Sequence, residues 1–202
     1  RDQPRSRGLG DVYKRQKCHY EFDRKLEELY DMGAVVPSRD IIKTPDEIEG
    51  IRKSAQVNIA VLDYVAEHIR EGISTAEIDK WVYDETTKRG GIPAPLDYEG
   101  FPKSVCTSIN EEVCHGIPSE DVILKDGDII NVDVSTILDG YYSDSSRMFC
   151  IGNVAPENRK LVEDVHKAIE IGLEQVKPWG YLGDMGPVSY THLRAHETEA
   201  DL

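Results

Sequence analysis

Apolar residues recur with helical spacing in two segments of the first half of the chain. The first segment begins at residues 44–47 (TPDE) and ends before Gly72. Its start combines a threonine N-cap, a proline suited to the first helical position and a capping-box glutamate. The second segment begins at Ser74 and ends near Gly90-Gly91. The positions of this second helix predicted to face inward are Ile78, Trp81 and Val82.

The rest of the pattern predicts two further helices and a block of strands. Residues 20–32 have the spacing of a short charged helix, and residues 156–177 that of a long one. Residues 92–103 contain proline and glycine and are predicted to be a loop. Residues 104–114 and 128–151 have the composition of strands. Because strands follow helices in blocks, the sequence predicts an α+β fold with an antiparallel sheet.

A β-hairpin is predicted around Asp139-Gly140, because a type I′ turn needs positive φ at both central residues. With a two-residue loop, Ser135 pairs with Asp144 and Asp133 pairs with Ser146. Side chains alternate between the two faces of a strand, so Asp133 and Asp144 share one face, with Cβ atoms roughly 7–8 Å apart. A three-residue loop would break this parity.

Two carboxylates at that spacing can bracket a pair of metal ions about 3.5–4 Å apart. A solvated strand face is the alternative interpretation. Apolar residues around the aspartates favour a buried hairpin, in which a carboxylate must be paired or bind a metal. These apolar residues are Ile129, Ile130, Val132, Val134, Phe149 and Ile151.

Composition limits the classes of function. A chain of 202 residues forms one domain or most of one, and its net charge of −14 disfavours direct binding to nucleic acid. No apolar stretch approaches the roughly 18 residues of a membrane span, and no signal peptide is visible. The four cysteines are irregularly spaced, which makes a disulfide framework unexpected and the cytoplasm the default compartment.

The two ends of the chain differ from its middle. Residues 1–16 and 187–202 show no periodicity and resemble translated sequencing-adapter sequence, so we expect both to be non-native. His192 and His196 have the i, i+4 spacing of a helical zinc pair and Glu197 follows them, but no amphipathic helix surrounds them, and we do not expect a native site there.

Four motifs stand out in the middle segment: FPKSVCTSINEEVCHGIP at residues 101–118, LKDGD at 124–128, NVDV at 131–134 and DSSRMF at 144–149. Together they closely resemble bacterial type I methionine aminopeptidases. The resemblance covers about residues 40–186. It implies the pita-bread fold, an α+β domain of two pseudo-symmetric halves around a dinuclear metal site, of which this chain holds about the first half. Residues 40–186 are then a partial catalytic domain, and residues 17–39 are an N-terminal extension.

The resemblance also implies roles for individual residues. Asp133 matches the aspartate that chelates one metal, Asp144 the aspartate that bridges two, and His115 the histidine that contacts substrate. The implied reaction is hydrolytic removal of N-terminal methionine from nascent polypeptides. The implied cofactor is a pair of divalent ions of cobalt, manganese, iron or zinc, since a mixed carboxylate and imidazole site accepts several metals.

The family's pocket for the methionine side chain is matched by Tyr98, Phe101 and Cys106, for which ordinary packing is the alternative interpretation. Cys106 is not expected to be a nucleophile, because it has no evident basic partner. The family also needs a histidine in a Gly-His-Gly motif and two later glutamates, and this chain stops matching near Gly186, before them. His166 is expected to be exposed and not to replace them. We therefore expect the chain as it stands to be inactive.

Cys18 and His19 resemble the end of a short zinc-binding motif that some bacterial methionine aminopeptidases carry at their N-terminus. An exposed Cys-His pair is an equally good interpretation. By analogy, the intact motif would be consistent with docking at the ribosome or another partner.

Two other functions remain open. A pita-bread protein without metal ligands can act as a non-catalytic binding module, and the related X-Pro dipeptidases share the fold. Retention of both Asp133 and Asp144 argues against the first. The Val113–Pro118 motif and the absence of a large N-terminal domain favour the methionine enzyme over the second.

Overall fold

The computed structural model describes residues 17–36, 41–181 and 183–186, with the side chains of residues 17–21 left out. The predictions for residues 1–16, 187–202 and the side chains of Cys18 and His19 lie outside this part of the chain. The chain divides into two compact units that meet in sequence between Pro45 and Asp46. The first contains helix α1 (Lys17–Asp31), which confirms the predicted charged helix.

Two helices follow, α2 (Pro45–His68), which begins at the boundary between the units, and α3 (Thr75–Lys88) in the second unit. α2 starts at the proline predicted for its first position. α3 is capped by Ser74: its side-chain oxygen accepts a hydrogen bond from the Glu77 amide (3.2 Å), and the Glu77 carboxylate accepts one from the Ser74 amide (3.0 Å). This reciprocal capping satisfies two amides that the helix itself cannot pair.

In the described part of the chain, four strands form the sheet, which is antiparallel as predicted. They are β1 (Ile92–Pro93), β2 (Cys106–Ile109), β3 (Ile129–Leu138) and β4 (Tyr141–Cys150). β3 is central: β4 pairs along its whole length on one edge, and β2 and β1 pair with its beginning and its end. Helix α4 (Pro156–Glu174) follows the sheet.

Several predicted boundaries were wrong. Residues 92–103 are not all loop, because Ile92–Pro93 pairs with the end of β3 and Tyr98–Gly100 forms a 3₁₀ turn. The strand predicted over 104–114 ends at Ile109, because Asn110 has a positive φ of 52° that strand geometry does not allow. The last helix ends at Glu174 rather than at residue 177.

The hydrophobic core lies between α2, α3 and one face of the sheet. Alternate residues of β3 point into it and are fully buried: Ile130, Val132 and Val134. The helices contribute Val61, Leu62 and Val65 from α2 and Ile78 and Val82 from α3. The intervening residues of β3 point to the opposite face, which leaves that face for the polar chemistry of the site. In the described ranges, no helix is both long and apolar enough to cross a membrane.

Candidate metal centre

The hairpin that carries the two aspartates has the predicted register. Leu138 pairs with Tyr141, Ser135 with Asp144, and Asp133 with Ser146. Its turn residues, Asp139 and Gly140, have positive φ values of 51° and 83°, as a type I′ turn requires. The two-residue loop therefore places Asp133 and Asp144 on the same face of the sheet.

Burial of these aspartates was predicted too strongly. Asp133 is half-buried, and Asp144 is exposed. Ile130, Val132 and Val134 do face a core, but they occupy the opposite face of the hairpin, so their burial does not extend to the carboxylates. Ser135, directly across from Asp144, donates a hydrogen bond from its hydroxyl to Asp144 Oδ1 (2.9 Å) and so orients that carboxylate.

The electrostatics of the pair suit a cation. Partial burial raises the pKa of Asp133, and the negative charge of Asp144 raises that pKa further, whereas the nearby imidazole of His115 lowers it. Burial also raises the pKa of the neighbouring Cys106 thiol, with a further contribution from Asp133. Two hard oxygen donors that repel each other fit part of a site for divalent ions, because a bound cation would offset the repulsion.

A cleft of about 840 Å³ lies over this face of the hairpin. Its lining contains all six residues predicted for the centre of the site: Tyr98, Phe101, Cys106, His115, Asp133 and Asp144. The structure thus brings the predicted residues together, with the carboxylates beside a largely apolar wall. Their individual roles stay predictions.

His115 stands at the cleft in an uncommon backbone conformation. Its φ is 56°, a left-handed value that histidine adopts more often than most residues. The next residue, Gly116, lies against β2: its carbonyl accepts a hydrogen bond from the Thr107 amide (2.9 Å), and a Cβ on Gly116 would lie 1.9 Å from the Thr107 oxygen. Glycine is required here by close backbone approach, and this contact holds the backbone directly after His115 against β2.

The loop that forms the apolar wall is held by Asp79 on α3. One oxygen of Asp79 accepts a hydrogen bond from the Ser104 amide (2.7 Å), and the other lies 3.4 Å from the Lys103 ammonium. Within the loop, Asp97 and Glu99 both have positive φ, at 65° and 50°. Non-glycine residues in this conformation cost free energy and persist where the surroundings fix them, which is common at binding sites.

Sequence reasoning missed three contributors to the site: Ser135, Tyr142 and Asp79. The hairpin register could have predicted Ser135 and Tyr142, because Ser135 lies opposite Asp144 and Tyr142 is two residues from Asp144 on the same face. For Asp79 no local signal exists, since its partners lie 24 and 25 residues away along the chain.

Within residues 17–36, 41–181 and 183–186, no three His, Cys, Asp or Glu side chains converge as a metal site. Asp133 and Asp144 therefore stand as a pair of candidate ligands. His166 is exposed, as predicted, and lies 3.5 Å from Glu170 on α4.

The profile of metallopeptidase family M24 matches residues 49–200. Methionine aminopeptidase A of Synechocystis sp. is 46% identical over 149 residues, which cover 74% of this chain and 59% of that protein. The methionine aminopeptidase of Rickettsia prowazekii is 40% identical over 155 residues, covering 77% of this chain and 60% of that protein. The chain thus spans less than two thirds of the curated relatives that it matches.

Solved structures of methionine aminopeptidases also resemble this chain. The crystal structure of the Rickettsia prowazekii methionine aminopeptidase superposes with a TM-score of 0.75 at 39% identity, covering 77% of this chain and 62% of that chain. Prolidase from Pyrococcus furiosus superposes with a TM-score of 0.66 at 22% identity, which shows a shared fold only. The predicted pita-bread fold and the predicted resemblance to methionine aminopeptidases are confirmed.

Proposed function

Because this chain belongs to metallopeptidase family M24, we propose that Asp133 and Asp144 are ligands of two divalent metal ions and that the whole protein removes N-terminal methionine hydrolytically. One observation carries the proposal: both carboxylates face a cleft whose wall contains His115 and an apolar surface. The 40–46% identity to methionine aminopeptidases supports this reaction over others of the family.

The carboxylates would hold cobalt, manganese, iron or zinc. When bound, divalent ions of this kind polarise a peptide carbonyl and lower the pKa of water to roughly 7. The Ser135 hydroxyl keeps Asp144 oriented toward the cleft. His115, at the cleft and close enough to influence Asp133, would bond the substrate next to the scissile peptide and steady the charge that develops there.

The apolar wall would bind the methionine side chain. Phe101 is half-buried and Tyr98 is 68% exposed at the rim, and the raised pKa of Cys106 keeps its thiol neutral. A neutral thiol and two aromatic rings suit a flexible, polarisable thioether. The same protonation argues against Cys106 as a nucleophile, because the thiolate is the reactive form.

Two alternatives have less support. Likeness to the prolidases rests on about 22% identity and concerns the fold alone. A non-catalytic binding module would have no use for Asp133, because the raised pKa of this residue means that ionising it costs more free energy in the folded chain than in the unfolded chain, a cost that a bound cation would offset. Docking at a ribosome through Cys18 and His19 stays a prediction by analogy.

A catalytic metal site normally has at least three protein ligands, and the described residues bring together two. We therefore expect weak metal binding and no measurable cleavage of a Met-Ala-Ser peptide by the 202-residue chain. A chimera of residues 1–186 followed by the part of the Synechocystis relative beyond its matched segment should release methionine when manganese or cobalt is added.

In that chimera, Asp133→Asn or Asp144→Asn should lower kcat/KM at least about 100-fold, since each removes a ligand that binds the metal directly. An Ala-Pro dipeptide serves as the substrate of the X-Pro alternative. Full activity of both aspartate variants would contradict the proposed ligands, and preference for Ala-Pro would contradict the proposed substrate.

A further inference from the structure

The amide of Asn58 lies buried behind the aspartate hairpin. Asn58 is on α2 and is 1% exposed. Its Nδ2 donates to the Val134 carbonyl (2.6 Å) and to the Ser143 carbonyl (3.4 Å). Its Oδ1 accepts a hydrogen bond from the Ser145 hydroxyl (2.5 Å). One side chain thus binds both strands of the hairpin.

The bonded residues are the immediate neighbours of the two carboxylates. Val134 follows Asp133 on β3, whereas Ser143 and Ser145 flank Asp144 on β4. Because successive residues point to opposite faces, Ser143 and Ser145 turn toward α2 while Asp144 turns toward the cleft. Asn58 therefore binds the β3 and β4 segments that carry the two aspartates, from the face of the sheet opposite the cleft.

Ser54, one helical turn before Asn58, extends the contact. Its hydroxyl donates to the Thr136 carbonyl (3.1 Å) and lies 2.9 Å from the Ser143 hydroxyl. Neighbouring positions of α2 that face the sheet, such as Val61 and Val65, are apolar. A buried amide is costly unless its bonds are made, so the network fixes one arrangement of helix and hairpin, whereas apolar contacts would tolerate sliding.

We propose that Asn58 is a positioning residue that fixes the separation of Asp133 and Asp144 by binding β3 and β4 directly behind them. This inference rests on the proposed function, because it treats the two carboxylates as a metal-binding pair. In that role Asn58 acts through the backbone and touches neither metal nor substrate. The ladder between β3 and β4 sets their register, and removing the Asn58 side chain lets the hairpin twist and tilt on α2, which spreads the carboxylates over several separations.

The test uses the ¹⁵N-labelled 202-residue chain and manganese chloride as the probe. Paramagnetic Mn²⁺ broadens amide signals near its site even when binding is weak, so an apparent Kd follows from the signals of Asp133 and Asp144. We expect Asn58→Ala to weaken this Kd about tenfold, the range typical of residues that support metal ligands without touching the metal.

Three further variants distinguish a positioning role of Asn58 from a general effect on stability. Val61→Ala removes a fully buried side chain from the same helix without touching the network, and should lower Tm while leaving the Mn²⁺ Kd within about twofold. Ser145→Ala removes only the bond to Asn58 Oδ1, and should weaken Mn²⁺ binding about threefold. The Asn58→Ala/Ser145→Ala double variant should be no weaker than Asn58→Ala, since both changes break one network.

Each other outcome is decisive. If Mn²⁺ does not broaden Asp133 and Asp144 in the unmodified chain, the proposed metal site fails and the positioning role fails with it. If Mn²⁺ binds but Asn58→Ala and Ser145→Ala leave the Kd unchanged, the positioning role is overturned and the metal site stands. If Val61→Ala weakens Mn²⁺ binding as much as Asn58→Ala does, the positioning role is also overturned. If Asn58→Ala does not fold, the comparison of the Mn²⁺ Kd between Ser145→Ala and Val61→Ala tests the positioning role instead.

Discussion

A single carboxylate near the end of α3 illustrates how one residue couples stability to pH. The Glu85 side chain is 8% exposed, bonds Arg89 closely and lies 3.0 Å from the Lys88 ammonium. Hydrogen bonds from Arg89 first and Lys88 second hold the pKa of Glu85 below its usual value of 4.5, against a smaller opposing effect of burial. The ionised form is therefore bound more favourably in the folded chain than in the unfolded one.

The sign of the pH dependence follows from this lowered pKa. The stabilisation is fully present above the ordinary glutamate pKa and is lost as pH falls through the folded-state value. Glu85→Gln should lower the free energy of unfolding by about 1 kcal/mol at pH 7, because the exposed part of the ion pairs contributes little. The difference between the two proteins should shrink as pH falls from 4.5 through the lower pKa of Glu85 in the folded state.

Urea unfolding at pH 7 and pH 3.5 measures this difference. Asp84→Asn is the matched control on the same helix, because the Asp84 carboxylate is 57% exposed and lies 3.9 Å from Lys80. It should change stability by less than about 0.5 kcal/mol at either pH. An equal effect of Glu85→Gln at both pH values would show that packing rather than charge is responsible.

At the scale of elements, the segment after β2 folds back against that strand, and its close approach depends on Gly116. Gly116→Ala would place a methyl group 1.9 Å from the Thr107 carbonyl oxygen, which is backbone and cannot rotate away. The segment must move, so we expect a loss of about 2 kcal/mol or more in the free energy of unfolding. Because His115 precedes this contact, its imidazole signals should shift in NMR spectra.

Gly183→Ala is the control for that change. Gly183 has no heavy atom within 4 Å of the position of an added Cβ and does not have a positive φ, so its substitution should alter stability by less than about 0.5 kcal/mol. If Gly116→Ala were as stable as the unmodified chain and left the His115 signals in place, the close approach would not determine the position of His115.

The elements also show what sequence can predict. Asp139-Gly140 specified the turn, and the turn specified the register that aligns Asp133 with Asp144. β1 was missed because two residues carry no periodicity, and Ile92–Pro93 becomes a strand only by pairing with β3. Asn58 was missed because its partners lie 76 to 87 residues away, and because a polar residue on an apolar helix face is no signal until those partners are known.

At the scale of the whole molecule, one face of the sheet packs into the hydrophobic core and the other face carries the candidate metal ligands. One face of β3 supplies the core residues Val132 and Val134, and the other presents Asp133 to the cleft. Residue periodicity predicted this division, but the burial of the carboxylates was predicted too strongly, because periodicity does not state which elements cover each face. The raised pKa of Asp133 means that its ionised form destabilises the folded chain at pH 7, a cost that a bound cation would offset.

Thermal unfolding of the whole chain should therefore depend on metal. For an apparent Kd near 1 mM, 10 mM Mn²⁺ adds about 1.4 kcal/mol by mass action, or roughly 3–6 °C in Tm. The Asp133→Asn/Asp144→Asn double variant should have the higher Tm without metal, since it lacks the like-charge repulsion, yet gain nothing specific from Mn²⁺.

A net charge of −14 makes a control for ionic strength essential, because any salt screens self-repulsion. Sodium chloride at about 30 mM matches the ionic strength of 10 mM manganese chloride and gives the part of the Tm shift due to screening alone. A Mn²⁺ effect equal to that of sodium chloride, or equal in the double variant, would mean that the cation acts on the charge of the whole molecule and not on the aspartate pair. A larger effect confined to the unmodified chain would mean that the hairpin gives up stability without metal in order to bind it.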